Sequence, residues 1–151
     1  MGDVGRRRFL ILSAGLSFAP RLVRAQSASK VYRIAYLSAG DRGRFSAAFL
    51  EGLHDLGWEE GRNFVIDGRW AEGEHEKLPE MARDLVRREP DIVVSITTPA
   101  TRAAVAVSRS TPVVFTMVAD PVGSGFVDSL AHPGGSVTGL SFVPELSFFG
   151  K

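Results

Sequence analysis

Hydroxyl, carboxylate and small residues gather at three points of the chain, each directly behind a run of apolar residues. They are Ser38-Ala39-Gly40, Thr97-Thr98-Pro99-Ala100 and Asp120-Pro121-Val122-Gly123-Ser124-Gly125. Ser38 offers a hydroxyl beside small residues that allow close backbone approach. Thr98 suits a helix N-cap and Pro99 the first helical position, so free backbone N–H groups and the positive helix end would face a carboxylate or other anion. A plain N-cap is the competing reading. Asp120 could bind a ligand ammonium, and opposite the Thr98 helix end it would complete an amino-acid-shaped pair of poles. Its competing reading is a cap on a short helix near Phe126–Ala131.

Motifs for bond-making are mostly absent. No G-x-G-x-x-G follows the first apolar run and no G-x-x-x-x-G-K-[ST] is present, which argues against the usual dinucleotide and P-loop sites. There is no G-x-S-x-G elbow. His54, His75 and His132 are scattered without H-x-x-x-H spacing and read as surface or structural residues rather than metal ligands. The absence of cysteine excludes disulfides, a thiolate metal site, a Cys nucleophile and a lipid-modified N-terminal Cys. A net charge of +1 argues against a general nucleic-acid binder. No cofactor is expected.

The elements that must position these residues follow from periodicity. Strands are expected at 31–37, 64–70 (with a more exposed side), 91–96, 112–116 and 136–142. Phe45, Ala48, Phe49, Gly52, Leu53 and Leu56 fall on one helical face, with Gly57 as its stop. Leu78, Met81, Ala82, Leu85 and Val86 repeat the spacing up to Pro90, with Lys77, Glu80, Arg83, Asp84, Arg87 and Arg88 on the opposite, solvated face. A third helix runs from Thr98 to about Ser108. Strands alternating with helices give an α/β fold of parallel βαβ units with right-handed crossovers. In such sheets ligands bind beyond the carboxyl ends of strands, near the point where strand order reverses. Trp58 and Trp70 are read as packing residues, with the acidic loop Glu72-Gly-Glu-His-Glu76 after Trp70 a potential surface contact.

Ahead of these elements the charge balance shifts. Residues 1–25 carry a net +4 and the remainder −3. Arg6-Arg7-Arg8 precedes an apolar stretch from Phe9 to Ala19, too short to span a bilayer, and Val23-Arg24-Ala25 offers a small-residue cleavage site before Gln26. This reads as a cleavable export signal over 1–25. Arg6-Arg7-Arg8-Phe9-Leu10 is similar to the twin-arginine consensus; a Sec signal with one extra arginine is the alternative. A soluble periplasmic protein is expected.

Val31-Tyr-Arg-Ile-Ala-Tyr-Leu-Ser38, Leu56-Gly-Trp-Glu-Glu-Gly-Arg-Asn63, Arg69-Trp-Ala-Glu-Gly73, Leu78-Pro79, Thr98-Pro-Ala100, Pro112-Val-Val-Phe115, Asp120-Pro-Val-Gly123 and Pro133-Gly-Gly-Ser-Val-Thr-Gly139 occur in this order along nearly all of the mature chain. Together they resemble the tryptophan-binding-type family of ABC-transporter substrate-binding proteins. The resemblance implies the N-terminal lobe of a two-lobed type I periplasmic binding protein, over residues 26–142. Residues 143–151 would then begin a helix or crossover, truncated before the second lobe. It also implies that Ser38, Thr98 and Asp120, with Thr97 beside them, meet a small-molecule ligand such as an amino acid or related carboxylate. The partners would be a membrane permease and ATPase, with no catalysis by this chain. Two other readings stand beside it: a flavodoxin-like small enzyme or flavin carrier using the same strand ends, and a non-functional fragment of a binding protein.

Overall fold

The computed structural model describes residues 30–142. The expected export signal over 1–25 and the expected start of a helix over 143–151 lie outside them. The chain runs β1 (Tyr32–Ser38), α1 (Arg44–Asp55), β2 (Phe64–Trp70), α2 (Leu78–Val86), β3 (Ile92–Ile96), α3 (Thr98–Val107), β4 (Val113–Val118) and β5 (Val137–Ser141). A single 3-10 turn at His75–Lys77 leads into α2. The five strands form one parallel sheet in the order β2-β1-β3-β4-β5.

That order explains the burial of each strand. β1 lies between β2 and β3, and Ile34 through Ser38 are all buried, as a strand covered on both faces requires. β2 is an edge, and beyond Phe64 it is half-buried or exposed, which matches the more exposed side expected of it.

The crossover rule then fixes the helices. The chain moves one way across the sheet from β1 to β2 and the other way from β2 through β3 to β4. Right-handed connections therefore place α1 on one face and α2 with α3 on the other. The packing agrees. Leu37, Val93 and Val113 meet Leu78, Ala82, Leu85, Ala100, Ala103 and Ala104 in one apolar cluster. Ile34, Tyr36, Val94 and Ile96 meet Phe49, Leu50 and Leu53 of α1, together with Trp58 and Trp70, in another. Leu37, Leu78 and Leu85 are at most 2% exposed, and burial of each such side chain contributes about 1.5–3 kcal/mol.

Local signals set the element ends. Gly57 sits at φ 82°, its N–H donates to His54 O, and Trp58 N–H reaches back to Leu53 O, which closes α1 in a Schellman motif. Both tryptophans pack as expected. The Trp70 indole lies over Gly68, where a Cβ would overlap the ring, and its Nε1–H donates to Ser46 Oγ at 3.0 Å.

Two expectations are corrected. No helix forms at 126–131: Pro121–Gly125 is a turn, and the chain is irregular from there to β5. β4 also continues past Thr116 to Val118, with a register shift against β5 between Phe115 and Val118. Met117 takes φ 60° in that stretch, an irregularity that apolar periodicity does not signal.

Candidate functional site

Strand order reverses between β1 and β3, which are direct neighbours in the sheet. Ser38 ends β1 and pairs in register with Ile96, the last residue of β3, so Ser38 and Thr97 leave the sheet side by side. This is the switch point at which open α/β sheets hold ligands. Thr97 N–H bonds to Thr116 O of β4 at 2.9 Å, which brings the third strand end, leading to Asp120, to the same edge.

Ser38 is buried, and its Oγ accepts the Gly40 N–H at 3.1 Å. That bond uses a lone pair and leaves the hydroxyl proton available to a ligand acceptor. The residues after Ser38 are bound to the next loop by backbone bonds. Ala71 N–H donates to Ser38 O, Gly73 N–H to Ala39 O and Glu72 N–H to Gly40 O, at 2.9–3.1 Å. The acidic loop expected to be a surface contact is thus attached to the edge where β1 ends, with Glu72, Glu74 and Glu76 exposed.

The α3 entrance differs by one residue from expectation. The N-cap is Thr97, Thr98 is the first helical residue, and Pro99 stands in the second position. Thr97 makes no side-chain cap bond. Its Oγ1 is buried without a hydrogen-bond partner, and its backbone sits at φ 80°, ψ 159°. A non-glycine residue in that region costs about 1–3 kcal/mol, and such strain persists only where surrounding contacts enforce it. The amides of Thr98 and Ala100 belong to the first turn and have no carbonyl one turn back to bond. They are the donors that an anion at this end would use.

Asp120 is exposed and its Oδ1 accepts the Gly123 N–H at 2.7 Å, while Ser124 N–H bonds to Asp120 O at 3.0 Å. The carboxylate therefore caps the Pro121–Gly125 turn rather than a helix. A Cβ at Gly123 would force the carboxylate to shift. Oδ2 lies against Gly123 and takes no part in that bond.

Several contacts at this end were not legible in the sequence. The Arg42 guanidinium lies 4.9 Å from the centre of the Trp70 ring, and Tyr36 packs against both Trp70 and Phe49. Burial raises the Tyr36 phenol above its ordinary value. Arg42 lies in the loop after β1 and Trp70 ends the adjacent β2, so only the pairing of those strands brings them together. On the α2–α3 face, Thr98 and Pro99 also line an open groove of about 550 Å³, together with His75, Arg83 and Arg102. Among the described residues no group of histidine and acidic side chains is placed to hold a metal ion.

With this geometry in place, likeness to known proteins is specific. Residues 33–147 match the profile of the family described as ABC transporter substrate binding protein. A tyrosine-binding protein of Clostridioides difficile strain R20291 is 36% identical over 93 residues, covering 62% of this chain and 27% of that protein. A crystal structure of an ABC domain in complex with L-Trp from Streptococcus pneumoniae superposes with a TM-score of 0.69 at 30% identity, covering 74% of this chain and 39% of that one. A conserved domain protein from Vibrio cholerae O1 biovar El Tor superposes with a TM-score of 0.74 at 35% identity, covering 80% and 42%. The matched region is thus about a quarter to two fifths of the length of these relatives.

Proposed function

The chain belongs to the ABC transporter substrate-binding protein family, and from that membership we propose that it supplies the ligand-receiving lobe of an exported solute-binding protein. Its ligand in this reading is a small molecule, an amino acid or related carboxylate, held beyond the carboxyl ends of β1, β3 and β4. The α-carboxylate sits on the Thr98 and Ala100 amides with the Ser38 hydroxyl, and the α-ammonium faces Asp120. The named ligands of two relatives, tyrosine and L-Trp, support an amino acid. The observation that carries the reading is the meeting of Ser38 and Thr97–Thr98 at the strand-order reversal, beside an uncapped helix start. In the intact protein, closure of a second lobe over the ligand would present a surface to a membrane permease and its ATPase. No chemical step is assigned to the chain.

Thermal unfolding of the chain against a panel of amino acids and small carboxylates tests this. A ligand at about 100 times its dissociation constant adds about 2.7 kcal/mol of stability. A selective upward shift, with the solute recovered unchanged, is the expected result. Conversion of the solute to a product would reject it. The same strand order serves flavin-binding sheets, so a protein purified with bound flavin would favour that reading instead.

A further inference from the structure

Two buried hydroxyls that do not belong to the ligand surface stand behind the turn at Thr97. Thr101 in α3 is 0% exposed, and its hydroxyl donates to Thr97 O at 2.9 Å. The same oxygen accepts Thr101 N–H at 3.0 Å. Ser95 of β3, also 0% exposed, places its Oγ 2.9 Å from Thr101 Oγ1. A threonine hydroxyl carries one proton. The proton of Thr101 is committed to the carbonyl, so Ser95 is the donor to Thr101. A directed chain results, from Ser95 O–H to Thr101 O–H to Thr97 C=O, in which each bond polarises the next.

A threonine bonding to the carbonyl four residues back is ordinary in helices. The Ser95 donor and the glycine-like backbone of Thr97 are not explained by that habit. A buried hydroxyl in a strand that otherwise carries valine and isoleucine is costly unless it is bonded. The chain ends on one particular peptide. Because the Thr97–Thr98 peptide is planar and trans, its C=O and N–H point in opposite directions. Fixing the carbonyl inward along α3 therefore turns the Thr98 N–H outward, away from the helix and toward the strand ends.

We infer that Ser95 and Thr101 are positioning residues for the ligand site, holding the Thr97–Thr98 peptide so that Thr98 N–H is presented to the ligand. This rests on the reading that the strand ends bind solute. Thr101→Val keeps the side-chain shape and removes the hydroxyl, whereas Thr101→Ser keeps the hydroxyl. Calorimetric titration of the full chain with L-tryptophan and L-tyrosine, at temperatures where each variant is folded, is expected to show affinity about tenfold weaker for Thr101→Val and close to wild type for Thr101→Ser. Equal binding by wild type and Thr101→Val would overturn the inference. Ser95→Ala, which removes only the far donor, is expected to weaken binding in the same direction and replaces Thr101→Val should that variant not fold.

The amide NMR signals of Thr97 and Thr98 in the unliganded protein give a readout independent of ligand. They are expected to move in Thr101→Val and to stay in Thr101→Ser. If wild type binds neither amino acid, the ligand assignment fails while these signals still decide the positioning. Unmoved signals in Thr101→Val would overturn the inference.

Discussion

Asp120 caps a turn and, in the proposed function, faces the ligand ammonium, and one substitution separates the two roles. Its Oδ1 holds the Gly123 amide, a bond that an asparagine oxygen can also accept, whereas attraction to an ammonium needs the negative charge. Asp120→Asn is therefore expected to unfold at the wild-type temperature and to bind its amino acid at least about tenfold more weakly, because a hydrogen bond to a charged group contributes about 1.5–3 kcal/mol. Unchanged affinity in a titration would leave Asp120 as a turn cap alone. Thr97 shows the limit of residue-level reading. Its type and its place between apolar run and helix mark it as a candidate. Its N–H is held by the Thr116 carbonyl, its C=O by the Thr101 side chain, and its hydroxyl is buried without a partner, none of which a local pattern reveals.

Among the elements, α2 was expected to carry a solvated charged face, and that face has more structure than solvation. Arg69 of the edge strand pairs with Asp67 and donates to Asp84 at 2.7 Å. Arg88 reaches Asp67 at 2.7 Å and Asp84 at 3.3 Å, and Arg87 reaches Asp84 at 3.2 Å. The network ties α2 to β2, the strand with an open edge. Hydrogen bonds from Arg69 and then Arg87 hold the Asp84 carboxyl below the usual carboxylate range. Lys30, followed by the Arg33 backbone amide, does the same for Asp91.

Both groups release their protons more readily when folded, so their stabilisation is fully present above the unfolded value of about 3.9 and disappears as pH falls through the lowered folded values. Melting temperature is expected to drop as pH is lowered through about 4 and below. In Asp84→Asn the melting temperature at neutral pH should be lower and the acid-induced drop smaller. An acid-induced drop as steep as that of the wild-type chain would show that the network contributes nothing. Helix periodicity marked Asp84, Arg87 and Arg88 as outward-facing. It could not pair them with Asp67 and Arg69, because the partners come from a strand set beside the helix by the crossover.

At the scale of the whole molecule, the proposed export is tested by its route. A twin-arginine route depends on the arginine pair itself, whereas a Sec signal needs only positive charge before the apolar stretch. With Arg6-Arg7 replaced by Lys-Lys, total charge is kept, and fractionation of cells expressing the full chain is expected to show it retained in the cytoplasm. Continued appearance of the Lys-Lys variant in the periplasm would assign the Sec route instead. Ligand affinity also belongs to this scale, since the aligned portions of the chain correspond to only 39% and 42% of the two solved relatives described above. In the proposed reading the chain offers one wall of the cleft that closes on the ligand.

Local order along the chain determined most of the architecture. Apolar runs, 3.6-residue spacing, Gly57 and Pro90 are properties of neighbouring residues, so the order of strands and helices, and the candidates at the strand ends, could be read directly. Strand order could not, since it depends on which runs pair across the sheet. Only the tertiary structure set Ser38 beside Ile96, put Arg42 on Trp70, and joined Ser95 through Thr101 to the Thr97 carbonyl. It also moved the α3 cap by one residue and replaced the expected helix after Asp120 with a turn. The physical reason is the same in each case. Periodicity reports which face of an element is apolar, whereas a binding site is made where separate elements end together.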